Sequence, residues 1–270
     1  MENPKRQQIG PNPSGLTASL FEVASLCKNF GGIRALNGVN LALGKSSIVA
    51  LIGPNGAGKS TFINVTTGIY PPDSGVVYFQ GKNIACWPAH LITRQGIART
   101  FQLQELFTNM TVLENAMAGC YVNGKAGLFA SGLKWPSSRT EERCIREEAF
   151  ENLKLVGLEK RATESVSALP LGERKMLGIA RTLGVRPKLI MLDEPAGGLA
   201  AHEVAKLGDL IYRFREKGMG VLVIEHNMPF VMSISEWVIV LEYGSKISEG
   251  PPELVRNDPK VIEAYLGEDD

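Results

Sequence analysis

A chain of 270 residues can bury one large core, either as a single α/β domain or as a main domain carrying a smaller one. With 29 Lys and Arg against 28 Asp and Glu, its net charge of +1 gives no long-range attraction for nucleic acid, and no basic stripe is present. The four cysteines, Cys27, Cys86, Cys120 and Cys144, are scattered without paired metal spacing and fit a reducing cytoplasm, while no run approaches the ~18 apolar residues of a membrane helix.

Residues 1–15 are polar, contain three prolines and lack the apolar centre of a signal peptide, so a flexible tail is expected there. Residues 16–270 are expected to form a single domain. From Leu20 to Leu43 the pattern predicts short strands interrupted by a turn at Gly31-Gly32. Ile48-Val49-Ala50-Leu51-Ile52 is short, apolar and β-prone, which predicts a buried strand. Phe62 to Thr67 continues as a helix. Pro71-Pro72-Asp73-Ser74-Gly75 is a strong turn signal before a strand at Val76–Phe79, and Gly81-Lys82-Asn83 closes a hairpin. These pieces predict a small antiparallel sheet.

Between Leu103 and Ala168 the character turns helical. Ile145, Ala149, Leu153 and Val156 recur at helical spacing within Glu141–Leu158, and the flanking Glu and Arg clusters read as its solvated face. The Gly/Ser-rich stretch Gly119–Ser138, with Phe129 and Trp135, is either a surface insertion or a partner-docking loop. Further apolar runs at Leu189–Leu192, Val221–Ile224 and Val238–Leu241 alternate with helical stretches, as a parallel sheet covered on both faces requires. The expected fold is α/β: a P-loop core with a mainly parallel sheet, an antiparallel β-subdomain, and a helical subdomain inserted at approximately 103–170.

Directly after Ile52 comes Gly53-Pro54-Asn55-Gly56-Ala57-Gly58-Lys59-Ser60-Thr61, a complete phosphate-binding P-loop in a strand–loop–helix context. Gly53, Gly56 and Gly58 permit tight turns that aim main-chain N–H groups at phosphate oxygens, and the helix N-terminus adds partial positive charge. Lys59 is placed to reach the β- and γ-phosphates and the Ser60 hydroxyl to ligate Mg²⁺. The chain is therefore expected to bind a nucleoside triphosphate.

A second signal is Leu189-Ile190-Met191-Leu192-Asp193-Glu194, an apolar strand ending in two carboxylates at the sheet edge where nucleotides bind. One carboxylate can hold Mg²⁺ while the other orients a water for in-line attack. Alone, such a pair more often caps a turn or helix. With a P-loop upstream the functional reading prevails.

Together these residues resemble the ATP-binding cassette ATPases of membrane transporters, from Leu20 to the C-terminus. The resemblance makes Gly53–Thr61 the Walker A motif and Leu189–Glu194 the Walker B motif, with Asp193 the magnesium carboxylate and Glu194 the catalytic one. Thr100-Phe101-Gln102 is similar to the Q-loop, so Gln102 would sense Mg²⁺ and the γ-phosphate. Ile224-Glu225-His226 is similar to the switch segment, with His226 at the γ-phosphate. A histidine after an apolar strand is otherwise more often structural. Phe30 aligns with the aromatic that stacks on adenine, although an ordinary core Phe fits the local sequence equally well.

Two segments depart from the family pattern. Leu169-Pro170-Leu171-Gly172-Glu173 stands where the family usually has Leu-Ser-Gly-Gly-Gln, the signature that contacts ATP on the opposite subunit. Pro170 has neither hydroxyl nor N–H, whereas Gly172 and a helix from Arg174 to Leu183 keep the backbone part. Gly198-Leu199-Ala200 replaces a D-loop that usually ends in aspartate. Glu225-His226-Asn227-Met228, the Gly119–Ser138 insertion and Ala264-Tyr265-Leu266-Gly267-Glu268 are similar to the ATPases of importers for branched-chain and other hydrophobic amino acids. Close relatives serve urea or short-amide import or lipopolysaccharide export, and soluble cassette ATPases are a further alternative. The resemblance implies ATP and Mg²⁺ as ligands and a second cassette, identical or different, as partner. It also implies two membrane permease subunits, an indirect substrate-binding protein, no nucleic acid, and a peripheral place on the cytoplasmic membrane face.

Overall fold

A computed structural model describes residues 19–100, 106–123 and 136–266. In chain order its first half comprises β1 (Phe21–Phe30), β2 (Ile33–Leu43), β3 (Ile48–Ile52), α1 (Lys59–Thr66), β4 (Ser74–Phe79), β5 (Lys82–Asn83), α2 (Ala89–Gln95), β6 (Ile97–Arg99), α3 (Val112–Cys120) and α4 (Pro136–Val156). The remainder comprises α5 (Leu171–Leu183), β7 (Leu189–Asp193), α6 (Ala201–Glu216), β8 (Gly220–Ile224), α7 (Met228–Ile234), β9 (Trp237–Glu242), β10 (Ser245–Gly250), α8 (Pro252–Arg256) and α9 (Pro259–Leu266).

Two sheets organise these elements. One is antiparallel, in the order β2-β1-β4-β5; the other runs β10-β9-β3-β8-β7-β6. In the second sheet β9, β3, β8, β7 and β6 are mutually parallel and β10 closes one edge antiparallel. The apolar runs read from the sequence become central strands because both of their faces are covered. In β7, Leu189 and Met191 enter a core shared with the antiparallel sheet and with Phe62 and Ile63 of α1. Ile190 and Leu192 point the other way, onto Leu207, Ile211 and Phe214 of α6. The period-2 alternation of a strand sends its side chains to two separate cores, so no polar position is left.

The helices between β6 and β7 build a core of their own. Ile145, Ala149 and Leu153 of α4 are buried there with Val112 and Ala116 of α3 and Leu177 and Ala180 of α5. Backbones meet directly where α3 and α5 cross, since a Cβ on Gly119 would lie 1.8 Å from the Arg181 carbonyl oxygen. Thr111 caps α3 in a capping box with Glu114. The amphipathic segment expected at Glu141–Leu158 thus forms most of α4, which ends two residues earlier at Val156, with Ile145, Ala149 and Leu153 buried and Val156 partly so.

The short strands expected across Leu20–Leu43 are instead ten and eleven residues long, joined by the turn at Gly31-Gly32. Irregular register between Val23 and Asn29 lets them bend over the core without ending. The helix expected from Arg174 begins at Leu171, because Pro170 adopts extended backbone and serves as its N-cap. Gly119 and Cys120 finish α3 and Tyr121–Asn123 form a 3₁₀ turn, while the rest of the expected insertion up to Trp135 lies outside the described residues, as does the tail at 1–15. The cysteines are all free thiols. Among the described residues no helix is long and apolar enough to cross a membrane.

Candidate nucleotide-binding and catalytic site

Parallel pairing brings the ends of four strands to one edge of the sheet. Leu51 of β3 pairs with Ile224 of β8, Ile224 with Asp193 of β7, and Met191 with Arg99 of β6. The residues that follow are therefore Gly53, Glu225-His226, Glu194 and Thr100, side by side although far apart in sequence. β8 lies between β3 and β7, so His226 arrives between the P-loop and the carboxylate pair. This is the C-terminal edge of an open α/β sheet, where such folds bind ligands.

Two glycines show why the P-loop has its shape. Gly53 has φ 148°, and a Cβ there would come 2.1 Å from the Leu241 carbonyl oxygen; Gly58 has φ 101°, with the Ala35 carbonyl oxygen 2.5 Å from its notional Cβ. The loop is clamped between the end of β9 and the β2 strand, and only glycine fits these two positions. Gly58 offers α1 no side-chain cap, so no capping side chain stands where an anion would approach the helix N-terminus. The Lys59 ammonium donates to the Gly53 carbonyl oxygen at 2.5 Å and to that of Pro54 at 2.8 Å, which ties the lysine to the curve of the loop. Ala57 is buried and accepts from the Gly244 amide at 3.0 Å. Asn55, Gly56 and Ser60 are exposed at the loop surface and Thr61 is half-buried.

Asp193 and Glu194 are adjacent yet differently held. Asp193 is buried and accepts at Oδ2 from the Arg99 guanidinium at 3.0 Å, and its own amide donates to Thr100 Oγ1 at 3.1 Å. Burial pushes its carboxyl above the ordinary aspartate value, with Arg99 opposing that rise. Glu194 has left-handed backbone, φ 46°, a conformation that costs a bulky residue roughly 1–3 kcal/mol. It is fixed from two sides: its amide donates to the Ile224 carbonyl at 2.8 Å, and Lys175 Nζ donates to its carbonyl at 3.0 Å. The strained backbone leaves the Glu194 carboxylate partly exposed, 3.8 Å from Nδ1 of the half-exposed His226.

Sequence reading missed three residues here. Glu225 is fully buried, and its carboxylate accepts from the amides of Ala196, at 2.7 Å, and His226, at 3.0 Å, so it pins the segment after β7 to that after β8. Lys175 of α5 bonds the carbonyls of Glu194 and Pro195; burial pushes its ammonium below the usual lysine value, against the pull of Glu225 and Glu194. Arg99 is the third. A charge at the end of an apolar strand was the available signal for Glu225 and Arg99, while Lys175 gave none, since one lysine in a charged helix does not stand out.

Phe30 does not sit in the core. It is 40% exposed at the hairpin end of β1, edge-on to Tyr70 with ring centroids 5.3 Å apart. Ala35, which follows on β2, is the residue packed against Gly58, so the aromatic lies on the strand pair flanking the P-loop. Gln102 falls outside the described residues; Thr100, two positions before it, is at the sheet edge beside Asp193.

The segment Leu169–Glu173 leads into the first turn of α5. Leu169 is buried, Leu171 is exposed, and Glu173 pairs with Arg161 at 3.2 Å. Gly172 has a local reason: a Cβ there would lie 1.9 Å from Glu203 Oε1 at the start of α6. Gly198 has φ 72°, and Ala200 is the N-cap of α6.

The loop geometry accommodates a nucleotide's phosphates, and the donor set suits Mg²⁺ shared with them. Among the described residues no group of three or more His, Cys, Asp and Glu side chains could hold a metal ion unaided. A hydroxyl, one carboxylate and phosphate oxygens are the hard oxygen donors that Mg²⁺ prefers.

This loop and sheet edge define a P-loop nucleoside triphosphatase. The sequence model of the ABC transporter family matches residues 36–197, and that of a branched-chain amino acid ATP-binding cassette transporter matches residues 245–270. The chain belongs to the ATP-binding cassette transporter family and is an ATP-binding ATPase. It is 41% identical over 254 residues to the high-affinity branched-chain amino acid transport ATP-binding protein BraF of Pseudomonas aeruginosa, covering 94% of this chain and 100% of that protein. The corresponding protein LivG of Escherichia coli is equally similar, at 41% with the same coverage. Among solved structures, the ADP conformation of an ATP-binding cassette of an ABC transporter superposes with a TM-score of 0.82 at 35% identity, covering 93% of this chain and 100% of that one. A dimeric post-hydrolysis cassette bound to ADP and Pi matches with a TM-score of 0.73 at 25% identity, covering 86% and 98%.

Proposed function

We propose that this chain hydrolyses ATP to energise import of branched-chain or other neutral, hydrophobic amino acids through a membrane permease. The observation that carries the ATPase chemistry is the convergence of P-loop, Asp193-Glu194 and His226 on one sheet edge. The cargo class rests on the relatives' names and on the C-terminal match at 245–270.

In this reading the amides of Gly53–Thr61 and the Lys59 ammonium hold the phosphates, and Phe30 stacks on adenine. Ser60, Asp193 and Gln102 hold Mg²⁺, which when bound offsets charge on the β- and γ-phosphates. Glu194 accepts a hydrogen bond from the attacking water and aligns it; its strained backbone keeps that carboxylate aimed out of the sheet. His226 lies close enough to share the γ-phosphate side of that alignment. The N-terminus of α5, from Leu169 to Glu173, serves ATP held by a second cassette, as the dimeric assembly of a similar cassette supports.

We assign permease docking to the groove of about 370 Å³ that has α2 and β6 on one side and α3 and α5 on the other. Ile92, Arg99, Phe107 and Arg181 are among its lining residues. Its position beside Thr100 puts it next to the segment leading to Gln102. In this reading the chain sits on the cytoplasmic membrane face, with two permease subunits and, through them, a substrate-binding protein.

Reconstitution with its permease pair and binding protein in ATP-loaded vesicles tests the assignment. ATP-dependent uptake of leucine, isoleucine or valine is expected. Uptake of urea or short amides alone would move the cargo to that importer class, and failure to associate with any permease would remove the transport role.

A further inference from the structure

Arg99 is a half-buried cation placed directly against the carboxylate assigned to Mg²⁺. Its side chain is 11% exposed and that of Asp193 is 5% exposed. One guanidinium nitrogen donates to Asn64 Oδ1 at 2.6 Å and another to Asp193 Oδ2 at 3.0 Å. Asn64 belongs to α1, the helix that starts at the P-loop lysine, and Asp193 ends β7. The planar fork therefore ties the phosphate-binding helix to the metal carboxylate, a two-direction contact that a lysine's single ammonium reproduces poorly. Arg99 also lines the groove that has α2 and β6 on one side and α3 and α5 on the other.

We propose that Arg99 is a positioning residue that acts as an internal counter-cation to Asp193 and competes with Mg²⁺ for it. The inference rests on the Mg²⁺-nucleotide reading above. A unit positive charge 3.0 Å from a carboxylate oxygen repels a divalent ion approaching the same carboxylate, and the low solvent exposure limits screening. Asp193 can engage Mg²⁺ fully only as the Arg99 contact lengthens. Because Arg99 faces the groove, an occupant of that groove bears on the same guanidinium, which makes Mg²⁺ retention sensitive to docking.

The test uses the full chain with a fluorescent ADP analogue, titrating Mg²⁺ and reading the half-point of its effect on nucleotide affinity. Arg99→Gln removes the competing charge and is expected to lower the half-point by about threefold or more. Arg99→Lys keeps the charge but holds only one of the two contacts, so its half-point should fall between wild type and Arg99→Gln. Asn64→Ala releases one anchor of the fork without touching Asp193, and a smaller shift in the same direction is expected; it is read in place of Arg99→Gln should that variant fail to unfold cooperatively. Nucleotide binding in EDTA should be alike in all of them.

An unchanged or raised half-point in Arg99→Gln and Asn64→Ala, with binding in EDTA intact, overturns the inference alone. A wild-type chain that binds no nucleotide in EDTA or in Mg²⁺ overturns the functional reading and the inference with it.

Discussion

His226 Nδ1 lies 3.8 Å from Glu194 Oε1, although the two residues follow different strands and are thirty-two positions apart. The pairing of Asp193 with Ile224 sets this distance: Glu194 comes directly after the first and His226 two residues after the second. Glu194→Gln should retain ATP binding while slowing hydrolysis by ~10²–10⁴-fold, the usual share of a general base. His226→Ala should also slow turnover without weakening binding in proportion. Single-turnover hydrolysis in the assembled transporter, set beside nucleotide affinity, checks both; wild-type turnover in Glu194→Gln would remove that residue from the chemistry.

The P-loop predicts two contrasting failures. Lys59→Ala should leave the fold intact but weaken ATP binding strongly, since it removes the cation facing the phosphates. Gly53→Ala should disturb the loop itself, because the added methyl meets the backbone oxygen of Leu241, which cannot rotate away. A loss of about 1–3 kcal/mol in unfolding free energy is expected from the strained φ alone. By comparison Gly172→Ala meets only the end of the Glu203 side chain and should fold normally. Calorimetry and thermal unfolding separate the cases.

Phe107 is 49% exposed on the wall of the groove, whereas Leu106 is half-buried. A cysteine at Phe107 should therefore cross-link to a permease loop more efficiently than one at Leu106. Cross-links captured only on soluble proteins would defeat the transport assignment.

The altered signature predicts asymmetry if the second cassette is a different chain with a complete motif. The ATP bound on this chain's P-loop should then be hydrolysed faster than the one completed by Pro170–Glu173. Losing one charge-stabilising donor costs ~10²–10³-fold where it acts on the transition state. Restoring Ser and Gly at Pro170 and Leu171 should raise turnover at the slower site and also supply α5 with a capping hydroxyl, worth about 1 kcal/mol. Trapping with a catalytic-Glu mutant of each subunit measures the sites separately, and equal rates contradict the asymmetric arrangement.

Cys120 gives a prediction about pH and accessibility. Burial pushes its thiol up to about 12, from an ordinary value of 9.0, with Glu148 adding to the rise. A raised folded value means that its contribution to stability is complete below about pH 9 and is lost as pH climbs toward 12. Alkylation at pH 8 followed by mass spectrometry should label the exposed Cys86 and Cys144 and spare Cys120 until the chain unfolds.

What was legible in the sequence was whatever depends on neighbours along the chain. The P-loop is contiguous because its amides, lysine and hydroxyl must surround one phosphate group. The apolar runs of β3, β7, β8 and β9 announced buried strands because a strand covered on both faces has no polar position. Even the departure at Pro170 could be read, since proline's missing N–H is a property of that residue alone.

Tertiary structure decided which strand ends meet and how charges are shared between them. Parallel pairing inserts β8 between β3 and β7, which brings His226 to Glu194 and Glu225 to the amide of Ala196; no local pattern encodes strand order. For Phe30 the local sequence fits an ordinary core Phe as well as an adenine-stacking aromatic; its exposed place at the hairpin end rules out the core. Arg99, Lys175 and Glu203 carry no motif of their own. Partial burial makes an unpaired charge costly, and distant elements supply the partners: Asp193 for Arg99 and the strained Glu194 carbonyl for Lys175, while Glu203 stays at the start of α6, accepts from the Ala200 amide and fills the space beside Gly172.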